Sequence, residues 1–266
     1  MKFYVLTDIE GVAGLSCWEE ARSMNSEYEP MARERSLEVA AVARGLLAAG
    51  AEKVVVEDGH GDGRNIDCTL LPKNTLLLRG LTHEILGLTG VFDETFDGLV
   101  LVGFHDAASR SGNPTSHTMV SSRIFQLKIN GEIWGEADVS MHAAAYRGVP
   151  TVLVSGDSAT CESSKKLSPN TSVVPTKTGG GYSVLTKMPE LVQEELENAA
   201  FNVVNNLTFI KPVVLPEHFH VEVTYIHHYD AYGCMHYPGA RLVSPTTLVY
   251  DTDDYGEVLR FFYFVI

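Results

Sequence analysis

Leu6-Thr7-Asp8-Ile9-Glu10-Gly11 is the stretch from which the fold of this 266-residue chain can be read. It closes the run Phe3-Tyr4-Val5-Leu6, whose aromatic and β-branched residues ahead of a glycine predict a first β-strand. Alternate side chains of an extended segment share a face, so Asp8 and Glu10 project to one side with Cα atoms roughly 6–7 Å apart. At an effective dielectric of ~20, two bare carboxylates so placed repel by on the order of 2–3 kcal/mol. Such a pair is at home facing water, or with a cation between its members.

Further along, the same pattern of a buried strand stopping at chemically active residues recurs. Lys53-Val54-Val55-Val56-Glu57 shows little alternation, as expected of a strand covered on both faces, and runs into Asp58-Gly59-His60-Gly61-Asp62-Gly63. Between the two strands, Val12 to Glu29 reads as a long loop, and Pro30 opens a helix over Met31 to Ala49 that Gly50 ends. This is a βαβ unit. Gly98 to Phe104 is a third buried strand ending at His105-Asp106, and Thr151 to Gly156 a fourth ending at Asp157. Ligands of open α/β sheets sit outside the carboxyl ends of the strands, which gathers Asp8, Glu10, Asp58, His60, His105 and Asp157 on one edge.

Asn130-Gly131 predicts a hairpin between Ile124–Ile129 and Glu132–Trp134, followed by Gly135-Glu136 and a helix from Ala137 to about Tyr146. Toward the end, Met188 to Asn206 has helical spacing, His220 to Ile226 alternates like a strand that Thr246 to Tyr250 can join, and Asp253 is placed to cap a last helix. The expected architecture is α/β, a mostly parallel sheet flanked by helices in residues 1–170, with a smaller α+β lobe over 171–266 and a soft boundary.

A formal charge of −14 argues against nucleic acid or an anionic membrane as the main partner. No apolar run reaches the ~20 residues of a membrane helix, no signal-peptide pattern is visible, and the scattered Cys17, Cys68, Cys161 and Cys234 read as reduced thiols. A cytoplasmic protein is the expectation. Gly179-Gly180-Gly181 lacks the lysine and hydroxyl residue of a phosphate loop, and the loop at His60 lacks the dinucleotide fingerprint. On the residues alone, Asp8 and Glu10 read equally as a solvated pair or as ligands, Glu136 as a helix-start acid, and His117 as a hydrogen-bonded loop residue. Asp58 could ligate or orient His60, Asp157 reads as a helix cap, and His227-His228-Tyr229-Asp230 with His236 reads as a decoy.

Taken together, Asp8-Ile9-Glu10-Gly11, Asp58-Gly59-His60, Gly103-Phe104-His105, Ser116-His117-Thr118-Met119 and Gly135-Glu136 resemble, in order and spacing, the D-aminopeptidase family of dinuclear zinc peptidases found with dipeptide-transport operons. The resemblance implies Asp8 as a carboxylate bridging two Zn²⁺ ions, with Glu10 and His60 completing one site and His105 and Glu136 the other. It implies His117 as a non-ligand active-site histidine assisting proton transfer, and a ring-like homodecamer. Imidazole and carboxylate ligands suit zinc, and a metal pair can acidify a shared water and polarise a scissile carbonyl. The implied function is a zinc aminopeptidase acting on short peptides with a free N-terminus. Ser140 stands where the family usually has asparagine, and Lys177 to Tyr182 aligns poorly. Two rivals remain: another dinuclear amide hydrolase or phosphoesterase, the phosphoester version disfavoured because the matched segments offer few groups to clamp phosphate, with Arg64, Arg110 and Arg123 the only nearby candidates in sequence, and a non-catalytic metal-binding assembly protein.

Overall fold

The computed structural model describes residues 1–84 and 90–266. Its elements are, in order, β1 (Lys2–Thr7), α1 (Trp18–Ala21), α2 (Tyr28–Ala48), β2 (Lys53–Asp58), β3 (Thr75–Leu78), β4 (Gly98–Phe104), β5 (Ile124–Ile129), β6 (Glu132–Ile133), α3 (Glu136–Tyr146), β7 (Thr151–Asp157), α4 (Ser158–Leu167), β8 (Ser172–Gly180), β9 (Ser183–Thr186), α5 (Pro189–Asn205), β10 (Phe219–Tyr225), α6 (His228–Cys234), β11 (Arg241–Leu242), β12 (Thr247–Thr252) and α7 (Tyr255–Val265). Seven strands form one sheet in the order β3-β2-β1-β4-β7-β8-β9, parallel except for β9. The α/β class with a mostly parallel sheet is therefore as expected.

β1 is apolar throughout because both its faces are covered. Phe3 and Val5 join a core with Val39, Val42 and Leu46 of α2 and Val192, Leu196 and Val203 of α5. Tyr4 and Leu6 face the other way, toward Ala137, Met141 and Ala144 of α3. Each fully buried Val, Leu or Phe contributes about 1.5–3 kcal/mol. Pro30 lies in the first turn of α2, where its missing N–H has no intrahelical partner to lose. The helix ends as predicted: Gly50, at φ +97°, donates to Leu47 and Ala51 to Leu46, a Schellman pattern.

A second sheet, β11-β12-β10-β5-β6, is antiparallel, and β10 alternates buried with half-buried residues as its sequence predicts. Val139 and Ala143 of α3, with Val258, Leu259 and Phe262 of α7, pack on it. α3 thus lies between the two sheets. The expected break near residue 170 follows neither sheet. Residues 172–186 complete the large sheet, whereas the smaller one joins 124–133 to 219–252. β8 is hard to see in the sequence because it holds Pro175, which is accommodated where the strand pairs only with β7. The last helix is capped by Asp254, which accepts from the Gly256 N–H, rather than by Asp253. His227 and His228 open α6 instead of lying on a strand. Among the described residues, no helix is long and apolar enough to cross a membrane.

Candidate functional site

The carboxyl ends of β1, β2 and β4 meet at one point. β1 and β2 pair in register, Thr7 opposite Asp58, so Asp8 and the loop carrying His60 leave the sheet side by side. On its other side the Asp8 N–H donates to Val102 and the Gly11 N–H to Gly103. This crossing needs glycine. A Cβ on Gly11 would stand 1.8 Å from the Phe104 carbonyl oxygen, and Gly103, at φ +75°, would place one 2.4 Å from that of Asp8.

Asp8 divides its two oxygens. Oδ1 lies 3.0 Å from His60 Nδ1 and Oδ2 lies 3.2 Å from His105 Nε2. Glu10 Oε2 is 3.3 Å from the same His60 nitrogen. Glu136, the first residue of α3, places Oε1 3.5 Å from both His105 Nε2 and His117 Nε2. The rings of His105 and His117 stack at 4.1 Å, and Trp18 meets His117 edge-on at 5.1 Å. Asp8, Glu10, His105 and Glu136 are buried, and His60 and His117 partly so.

The backbone fixes each imidazole. His60 Nε2 donates to the Ala21 carbonyl, His105 Nδ1 to that of Asp106, and His117 Nδ1 to that of Thr115. The remaining nitrogen of every ring then faces carboxylates with a lone pair, an arrangement that calls for a proton or a metal ion in between. Asp8 Oδ2, Glu10 Oε2 and His105 Nε2 are buried without a hydrogen-bond partner among the described residues. Burial alone would lower the pKa of both His60 and His105. Instead Glu10 and Asp8 hold His60, and Asp8 and Glu136 hold His105, well above the usual range. Conversely, burial would raise Asp8, but His105 and His60 keep it well below the usual carboxylate range, and His105, then His117, lower Glu136. Donor atoms of Asp8, Glu10 and His60 lie within 4.8 Å of one another, as do those of His105, His117 and Glu136. Both sets mix imidazole and carboxylate and fit a divalent metal.

The other residues anticipated near the site have supporting duties. Asp58 is bound by the Arg35 guanidinium at 2.6 Å and by the N–H groups of Asn65 and Ile66, while Asn65 Nδ2 donates to the His60 carbonyl. It therefore steadies the loop of His60 rather than its ring. Asp157 caps α4 at Thr160 as expected, and its second oxygen accepts from Asp106 N–H and Asn113 Nδ2. Ser140 Oγ donates to the Glu136 carbonyl one turn back. Neither Arg110, beside Asp106 and the Ile133 carbonyl, nor Arg123, beside Asp230 and the Ile266 carbonyl, lines the cleft, and Arg64 does not either. His227, His228 and His236 are absent from its lining too.

Contributions that the sequence reading overlooked come from Trp18, Met119 and Lys177. Met119, at φ +61°, is the centre of a three-residue turn in which Val120 N–H donates to Thr118, and this strained turn aims the Met119 N–H at Glu136 Oε1, 2.7 Å away. A positive φ at methionine leaves no trace in sequence. Above the centre is a cleft of about 780 Å³, lined by Trp18, Arg22, Asn25, Leu81, Met119 and Ser121 together with Asp8, Glu10, His60, His117 and Glu136.

Among solved structures, the "Zn-dependent D-aminopeptidase DppA from Bacillus subtilis, a self-compartmentalizing protease" has a similar fold. Its TM-score is 0.91 at 23% identity, over 98% of this chain and 95% of that one. A comparison with curated proteins gave no match. The model of the D-aminopeptidase family, Peptidase_M55, matches residues 1–264, and the chain, a hydrolase of peptide bonds, belongs to that family.

Proposed function

We propose that this peptidase is a zinc-dependent aminopeptidase that releases the N-terminal residue of short peptides and uses two zinc ions per chain. Asp8, Glu10 and His60 would hold one ion, and Asp8, His105 and Glu136 the other. The observation carrying this reading is the split of Asp8, whose two oxygens each turn to a different imidazole while buried acceptors around it lack partners. When bound, the metal pair supplies an acidified water and polarises the scissile carbonyl. The chain does the rest. Thr115 fixes the tautomer of His117 so that Nε2 faces Glu136 and the cleft, where it can take up and return a proton. Trp18 walls that imidazole from one side, and the Met119 N–H anchors Glu136. A free substrate amine would be held by one of the metals or by an adjacent acid of the cleft, a recognition that favours peptides with an unblocked N-terminus.

The self-compartmentalizing character given for the solved relative, and the decamer implied by resemblance, support a homo-oligomeric ring here, with the cytoplasm as its location. The deciding experiment measures amino-acid release from L- and D-dipeptides and tripeptides, free or N-acetylated, with zinc and then with a chelator. Chelator-sensitive release confined to free N-termini is the expected result. Equal release from acetylated substrates would contradict the aminopeptidase reading.

A further inference from the structure

Behind the Glu10 loop lies a lysine that chemistry at the cleft does not use. Lys177 is buried at 3% exposure on β8, and its ammonium donates to three backbone carbonyls: Glu10 at 2.5 Å, Val12 at 3.1 Å and Leu15 at 2.7 Å. An ammonium has three N–H donors, and all three are used on one loop. Burying a charge is costly unless it is fully paired, so this is an expensive way to fill space that a leucine or methionine could occupy. Burial lowers the Lys177 pKa to about 8, against the pull of Asp157, Glu38 and Glu10. The same loop is gripped at other points: Asn113 Nδ2 also donates to the Glu10 carbonyl, Thr176 Oγ1 to Gly11, and Thr186 Oγ1 accepts from the Gly14 N–H. The carbonyls of Glu10, Val12 and Leu15 therefore converge on a single fixed cation, which sets where the peptide of Glu10, and with it the carboxylate, can lie. No such grip from Lys177 extends to His105, His117 or Glu136.

We infer that Lys177 is a positioning residue that presets the Asp8, Glu10 and His60 half of the centre for its metal, leaving the His105 and Glu136 half largely independent of it. The inference rests on the two-zinc reading. Removing a group that orients a ligand costs about 10–100-fold in metal affinity, and here that loss should fall on one site of two.

The test is a zinc titration of the metal-free full chain against a chromophoric chelator, comparing wild type with Lys177→Met, with unfolding midpoints measured on both. Wild type is expected to bind two zinc ions per chain and the folded variant to keep one at near wild-type affinity, the other weakened by about 10–100-fold. Cobalt spectra of the singly loaded variant should match the His105 and Glu136 site as isolated in Glu10→Ala. Lys177→Gln retains amide donors and is the second variant if methionine prevents folding; an intermediate loss at the same single site is expected. Two unchanged affinities in a folded variant, or equal weakening of both, would overturn the inference alone. A wild-type chain that binds no zinc would overturn the two-zinc reading and this inference with it.

Discussion

Asp8, Glu10 and His60 stand beyond the ends of two neighbouring parallel strands, whereas His105, His117 and Glu136 come from a strand end, a loop and the helix between the sheets. In the first group, geometry follows from strand register and from the carbonyls that Lys177 collects. In the second it follows from packing: α3 must sit correctly between two sheets, and Met119 must hold its strained turn, before Glu136 can reach two imidazoles. One half of the centre is thus specified by backbone hydrogen bonding and the other by side-chain fit. Damage to either should be readable separately, except at Asp8, where they meet.

Asp8→Ala should have the largest effect, taking zinc from two ions per chain to none and peptidase activity to background; metal analysis showing one retained ion would break the idea of a shared carboxylate. Next, Glu10→Ala should lose one zinc along with rate. His117→Ala should retain both ions and lower kcat by about 10²–10⁴-fold, the usual worth of a general acid or base. Equal metal loss in these two variants would instead make His117 a ligand of the second group, to which its Nε2 is close enough.

The smallest expected effect concerns the packing beneath Glu136. His142 of α3 is buried, stacked on Trp134 at 4.0 Å, and donates from Nδ1 to the Asp138 carbonyl. Burial lowers its pKa to about 4 from 6.5. Between those values the unfolded chain takes up a proton that the folded chain refuses. The stabilisation is therefore complete above pH 6.5 and declines as pH falls through 4, by about 3 kcal/mol. Denaturant unfolding of the metal-free protein at pH 7 and pH 4 should show His142→Asn losing about 3 kcal/mol less than wild type. Identical losses would remove His142 as a source of acid sensitivity.

Residues at strand ends were legible because buried parallel strands announce themselves as β-branched runs, and whatever follows them is delivered to one edge. Asp8, Glu10, His60 and His105 are all of this kind. Glu136 and His117 could be singled out only through the resemblance, since a helix-start acid and a loop histidine have ordinary explanations. The large sheet was readable through β7, but β8 was masked by Pro175, and with it the role of Lys177. The soft boundary near residue 170 was drawn for the same reason: without β8 and β9, the last hundred residues look like a separate lobe, and a sheet assembled from 124–133 and 219–252 has no local signature.

The grip of Lys177 on Glu10 spans 167 residues of chain. At about 5–20 residues per second, ribosomal synthesis delivers that lysine roughly 8–33 s after the loop it will fasten. β1, β2 and β4 can pair in the meantime, but the acidic loop remains without its cation until β8 has been made. The loop that carries Glu10 can therefore take its fastened position only after β8 has joined the large sheet, one strand before β9 completes it.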